Sequence, residues 1–461
     1  RLYGEARAYS ELVKVIDQEV KLLEATEQKI ELLTQQAQIY EQRLNDPESA
    51  IKALLLAHQL DPQAKQPLYQ LERLYLSLGK FSELIGVIEK RIGLTSEEKE
   101  KAELEMRAGE IYETKLKDPT KAVAYYERAE KRLPEEVPIL RALERLYSGL
   151  NKHLDLIRVL EKLAQLTPNL KDQAELINRI GKIYKEKLNQ IEPAIESYLR
   201  VLRIVPENRP ALEALVELFR EKADFSQLVK ALERLSELIK NTEPEKARDL
   251  YLEAGEIYQE RLKDEDKALA SYQKAGSLVP NDLRPIQAQR KIFEQRQNWK
   301  EVAGLLELEA KILSSPEERK EVLAQLGRLW EDKLGSKDQA IGFYQSALKL
   351  DANYLPAVKP LARIYYQKEN YELAEPLFGI WVKALAQETK EDQALILYQF
   401  GVIEEKLGKI DKALEYYQAS AQLKPLYLEP LERLFSIYLA RGDKLKAEGF
   451  GKELVISLEK V

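Results

Sequence analysis

Residues 102–134 read AELEMRAGEIYETKLKDPTKAVAYYERAEKRLP. Leu104, Ala108, Ile111, Tyr112 and Leu116 recur at three- and four-residue steps, which puts them on one stripe of a helix from Ala102 to Leu116. Asp118-Pro119 follows, an N-cap residue and a proline for the first turn, where a missing N–H costs little. Ala122, Val123, Tyr126, Ala129 and Leu133 then make the apolar face of a second helix, and Pro134 ends it. The stretch predicts two helices joined by a short turn. One such hairpin cannot bury its stripe alone, whereas a stack of them builds a continuous core.

The chain repeats this stretch. An apolar–aromatic pair recurs at Ile39-Tyr40, Ile111-Tyr112, Ile183-Tyr184, Ile257-Tyr258 and Leu329-Trp330, then as Ile403-Glu404, at steps of 72, 72, 74, 72 and 74. A second series, Leu74-Tyr75, Leu146-Tyr147, Leu218-Phe219, Ile292-Phe293, Ile364-Tyr365 and Ile437-Tyr438, follows the first by 35 residues five times and by 34 once. Two alternating units of about 34–39 residues therefore form a super-repeat. Helix starts resembling Asp118-Pro119 stand at Asp46-Pro47, at Thr242 before Pro244 and at Ser315-Pro316. No segment alternates as a strand would, so the expected fold is all-α. The expected division is a partial repeat over 1–29 and super-repeats over about 30–101, 102–173, 174–247, 248–319, 320–393 and 394–461, all in one array.

Composition narrows the chemistry. In 461 residues, 72 Lys and Arg face 78 Asp and Glu, a net charge of −6, and apolar residues make up 44%, too many for a disordered chain. There is no Cys, which removes disulfides, thiolate zinc sites and cysteine nucleophiles together. His58 and His153 are the only histidines, and neither has a second ligand at metal spacing. No G-x-x-x-x-G-K loop follows a strand. Acidic pairs such as Glu97-Glu98 and Glu317-Glu318 lie in first turns of helices, where they complement the helix dipole. No catalytic, cofactor or metal site is expected, so the segment reads as non-enzymatic. Charges of both signs interleave without a long basic run, which argues against nucleic acid. No stretch reaches the roughly 18 apolar residues of a membrane span.

The first-series units resemble tetratricopeptide repeats. Gly109, Tyr112, Ala122, Tyr126, Ala129 and Pro134 fill that family's signature places. So do Gly181, Tyr184, Ala194, Tyr198, Val201 and Pro206, and again Gly255, Tyr258, Ala268, Tyr272, Ala275 and Pro280. The resemblance implies a right-handed α-solenoid, a superhelix of stacked antiparallel helix hairpins. There are departures. Ala37 replaces the glycine, Glu404 the tyrosine and Ala352 the proline in other first-series units. In all but the last first-series unit the step from the aromatic to the alanine is ten residues instead of nine, so the turn should be one residue longer. Second-series units carry Leu84, Leu156, Leu228 and Val302 where a small residue is expected. The register of Tyr3, 37 residues before Tyr40, opens the chain in mid-repeat, as a piece of a longer protein would.

The resemblance also implies a function class, a scaffold or adaptor that holds protein or peptide partners. It places first helices on the concave side, with residues six before, two before and one after the aromatic facing the groove. Those residues are Tyr69 and Arg73, Arg141 and Arg145, and Lys359, Arg363 and Tyr366, against Glu110, Glu113, Glu256, Glu260 and Glu331 from first-series units. Basic and acidic bands would suit a charge-patterned peptide or partner helix. Equally, these charges could pair with one another between hairpins as a solvated face. Trp299 is expected as an exposed aromatic or as a staple onto the next hairpin. Trp381, with Pro376 in the same helix, should distort its unit locally. Two other roles stay open, the targeting arm of a larger enzyme and a self-associating structural subunit. Lack of Cys suits cytoplasmic and extracytoplasmic settings alike, and lack of an N-x-Ser/Thr sequon leans slightly to the cytoplasm.

Overall fold

The computed structural model describes residues 8–425 and 427–460; the register of Tyr3 lies outside them. Among the described residues there are twenty-five α-helices and no strand. After Tyr9–Leu22, first-series hairpins pair Thr26–Gln42 with Pro47–Leu60, Glu98–Thr114 with Pro119–Arg132, and Leu170–Glu186 with Ile191–Ile204. Later ones pair Pro244–Ile257 with Glu265–Leu278, Pro316–Asp332 with Lys337–Leu350, and Lys390–Lys406 with Ile410–Leu423. Second-series hairpins alternate with these, from Lys65–Ser77 with Phe81–Leu94 to Leu428–Ala440 with Lys444–Lys460. The chain divides into two compact units, residues 1–222 and 223–461.

Helix starts follow the predicted chemistry with one exception. Asp46 and Asp118 accept the backbone N–H of Ser49 and Lys121, each at 3.0 Å, and Ser315 accepts that of Glu318. Thr242 does not cap; its hydroxyl donates to the Ile239 carbonyl, and Glu243 precedes the helix without a side-chain cap. The helix read as starting at Ala102 starts one turn earlier, at Glu98, because an acidic first turn is favourable there.

Every hairpin turn holds one residue in the left-handed region: Asn45, Gly79, Lys117, Asn151, Asn189, Ala223, Lys263, Gln297, Gly335, Glu369, Gly408 and Gly442. The long turn of the first series is visible in its closing bond. The N–H of Asp46, Asp118, Gln190, Asp264 and Ser336 donates to the carbonyl six residues back, whereas Lys409, in the last unit, donates to Glu404, five back. Second-series turns also close over five, as Lys80 to Tyr75 does. Five of the twelve left-handed residues are neither Gly nor Asn, and each strains its turn by roughly 1 kcal/mol. Gln297→Gly is therefore expected to stabilise the chain by about 0.5–1 kcal/mol, read as a higher urea midpoint at unchanged slope.

The core runs between the helix layers of each unit. In the first, Leu33, Leu54, Leu68, Leu71, Leu84 and Ile88 are fully buried in one cluster with Ala108 and Ile111. In the second, Tyr344, Phe378 and Trp381 are buried with Ala340, Ala357, Leu361 and Ile403. The signature glycines make this packing possible. A Cβ added at Gly109, Gly181, Gly255, Gly327 or Gly401 would meet the ring of Tyr126, Tyr198, Tyr272, Tyr344 or Tyr417 at 3.0 Å or less. Where the first of these hairpins has Ala37, the residue in register with those tyrosines is the smaller Leu54, and both are buried. Small and large residues are exchanged together across that crossing.

Candidate interaction surface

First helices stand beside one another within each unit, and ion pairs cross-brace them. Arg73 pairs with Glu41 of the preceding first helix. Arg145 grips Glu113 with two bonds, Nε to Oε1 at 2.6 Å and a terminal guanidinium nitrogen to Oε2 at 2.8 Å. The hydrogen bond from Arg145 holds the Glu113 carboxyl below the usual carboxylate range against the burial that raises it. One super-repeat on, the rung recurs with its signs exchanged, Lys185 with Glu217. The swap keeps the pair and reverses the ends, so the rung itself is what the packing uses.

Most of the residues expected in the groove are therefore engaged within the chain. Arg141 pairs with Glu144 at 2.8 Å, and Glu144 also holds Arg179. Lys359 pairs with Glu388. The Tyr69 ring is covered by the Arg91 guanidinium, 4.2 Å from its centroid, and Arg91 in turn pairs with the buried Glu72. Arg363 and Tyr366 behave differently. The rung from Glu331 is not made; Glu331 accepts the Tyr344 hydroxyl at 2.9 Å, as Glu113 accepts that of Tyr126 while also holding Arg145. Arg363 lies instead over the indole of Trp381, 4.9 Å from its centroid. Tyr366 is half-buried against Tyr371 and Phe378.

Two residues at this face were not singled out by the sequence reading. Tyr398 stands six before Glu404, a groove position by the same register, in the one first-series unit that lacks the signature aromatic. Arg433 rests 3.6 Å from Glu405 and lies off the three-position rule, so spacing gave no signal for it. Trp299 is a staple and not an exposed aromatic: it is half-buried against the cluster of Val302, Leu306 and Leu326, with the Lys333 ammonium 5.3 Å from its ring centroid. Trp381 is fully buried, and Pro376 is carried inside a continuous helix, Tyr371–Lys383. The local irregularity falls after that helix, as a short 3-10 turn over Leu385–Gln387.

His58 is buried, and that burial lowers its pKa. No group of three or more His, Asp or Glu side chains could hold a metal ion among the described residues. No helix among them is long and apolar enough to cross a membrane. Glu404, in the place of the signature tyrosine, is buried, its Oε2 has no hydrogen-bond partner, and Lys409 Nζ is 3.8 Å away. Burial first, then Glu375, raises its pKa above the usual carboxylate range. A raised folded pKa means that ionising Glu404 costs stability only as pH rises above the unfolded value near 4.3. Glu404→Gln is thus expected to raise the melting temperature at pH 7 and to leave it nearly unchanged at about pH 4.

The comparisons agree with the geometry. Residues 174–208 and 394–425 match one tetratricopeptide repeat model, 249–282 a second, and 68–102, a second-series hairpin, a third. The photosystem I assembly protein Ycf3 of Rippkaea orientalis (strain PCC 8801 / RF-1) is 33% identical over 97 residues, 20% of this chain and 56% of that protein. The match thus spans little more than half of that relative's length. Among solved structures, a MamA RS-1 double mutant shares 19% identity over 39% of this chain and 95% of its own, at a TM-score of 0.31. The APC/C hetero-tetramer Cut9-Hcn1 shares 15% over 99% and 91%, at a TM-score of 0.25. With glycine–tyrosine crossings at five of the six first-series hairpins and matching repeat models in both units, the chain is a tetratricopeptide repeat protein.

Proposed function

We propose that the chain is a non-catalytic scaffold that holds protein or peptide partners on the side formed by its first helices. The observation that carries this reading is the bracing of those helices. In the first unit ion pairs fix neighbouring first helices side by side, so the surface they share there is preorganised and loses little conformational freedom on binding. The same bracing divides the seven groove residues. Arg73, Arg141, Arg145 and Lys359 act first as struts, and Tyr69 supports the Arg91 network. Arg363 and Tyr366 are the ones offered to a partner.

Affinity capture tests the reading. The tagged chain is incubated with extract of its source, with and without excess untagged chain. The expected result is at least one protein whose recovery falls on competition. Recovery of nothing that competes would refute the scaffold role and favour the targeting arm of a larger enzyme.

A further inference from the structure

We infer that Arg363, Tyr366, Tyr398, Tyr427 and Arg433 form one recognition surface in the second unit, and that it takes an extended acidic segment of a partner protein carrying an aromatic side chain. The inference rests on the scaffold reading and adds the partner's chemistry. The three tyrosines are neighbours. Tyr398 stands edge-on to Tyr427 at 5.7 Å and tilts against Tyr417 at 5.8 Å. Tyr398 and Tyr371 add to the effect of burial in pushing the Tyr366 phenol up to about 12, and Arg433 is close enough to oppose them. Tyr427 is likewise pushed up to about 12, by burial first and then by Glu429, Tyr398 and Tyr366. All three rings are half-buried, so they are already ordered and present edges to solvent.

The repeat register shows that packing does not require tyrosine at 366 or 398. The position of Tyr366 holds Leu76, Ser148, Arg220, Glu294 and Leu439 in the other super-repeats. That of Tyr398 holds Thr34, Met106, Asn178, Leu252 and Ala324. Four other residue types at the first place and five at the second build the same hairpins, and only here do aromatics fill both. Tyrosine, tryptophan and arginine are also the residues that dominate binding energy at protein interfaces.

The charge of the partner follows from the arginines. Arg73 and Arg145 are neutralised by Glu41 and Glu113 at the register where Arg363 is not. Arg363 is exposed and stacked on Trp381, whose Nε1–H donates to Glu388 Oε1 at 3.1 Å. Glu388 is also taken by Lys359, so among the described residues Arg363 makes no ion pair. A guanidinium held over an indole keeps N–H donors for a carboxylate. Arg433 lies 3.6 Å from Glu405, whose Oε2 accepts the Tyr417 hydroxyl at 2.6 Å, and its guanidinium also hydrogen-bonds the Tyr398 side chain. Exposed Glu429 and Glu432 flank Arg433 on the helix Leu428–Ala440 and disfavour acid beyond it. The fitting segment is therefore acidic beside an aromatic, and neutral or basic past Arg433.

Phage-displayed random dodecapeptides selected on the whole chain test this. Recovered peptides are assayed by fluorescence polarisation against the unaltered chain, Arg363→Glu, Arg433→Glu and Tyr398→Leu. Both arginines are exposed, so their reversal should leave the thermal melt in place. The expected result is peptides sharing Asp or Glu next to Phe, Tyr or Trp, bound at least tenfold more weakly by each arginine reversal and weakened by salt. Recovered peptides without acid, or binding unchanged by both reversals, would overturn the inference. No recovered peptide, with a competed partner still captured from extract, would overturn the inference alone; failure of both experiments would remove the scaffold reading as well.

Discussion

Gly181→Leu is expected to destabilise the chain by about 1–3 kcal/mol or more, and Gly181→Ala by less but in the same direction. Alanine is the sharper probe. Inside a helix, Gly to Ala ordinarily gains about 1 kcal/mol, so a loss isolates the crossing. A Cβ at 181 would lie 2.9 Å from Tyr198 Cζ, and the ring behind it is fixed among buried residues. The chain already contains the compensated form of this crossing in Ala37 and Leu54. Gly181→Ala with Tyr198→Leu should accordingly recover part of the loss, leaving a favourable coupling between the two sites in a double-mutant cycle. Urea melts of the four proteins decide it. Equal stability of the unaltered chain and Gly181→Ala would show that the crossing is looser than described.

The second large effect concerns a buried carboxylate. Glu105 is 1% exposed and accepts Arg132 Nε at 2.8 Å. In register, Glu105 stands with Leu33, Ile177, Tyr251, Leu323 and Leu397, and Arg132 with Leu60, Ile204, Leu278, Leu350 and Leu423. An ion pair thus stands at two positions that are apolar in every other first-series hairpin. Arg132→Leu strands the carboxylate, at an expected cost of about 3 kcal/mol, the low end of the range because Arg132 keeps some contact with water. Arg132→Leu with Glu105→Leu restores the apolar pair and should be neutral or stabilising relative to the unaltered chain. Thermal melts that rank the double variant below the single one would contradict this account of the pair.

The two changes show what sequence carries. Glycine at 181 and tyrosine at 198 are local, periodic and seventeen residues apart, so the crossing was legible from spacing. The longer first-series turn was legible for the same reason, and it appears as the bond from Asp118 to Tyr112. The surface was legible only as a register. Spacing put Arg145 and Arg363 at equivalent places, yet one is tied to Glu113 and the other lies on Trp381. That choice lies between a carboxylate and an indole as the side-chain partner, which the 72–74-residue periodicity does not encode. Trp299 shows the same limit, since a turn residue is exposed or buried according to the neighbour that covers it.

The central claim is that first helices, and not second helices, meet the partner. A photo-crosslinking amino acid placed at Ser436, exposed on the first helix Leu428–Ala440, and separately at Leu308, exposed on the second helix Trp299–Ile312, tests it in source extract. The account predicts a discrete higher-mass adduct from position 436 and none from 308. An adduct from 308 with none from 436 would contradict it.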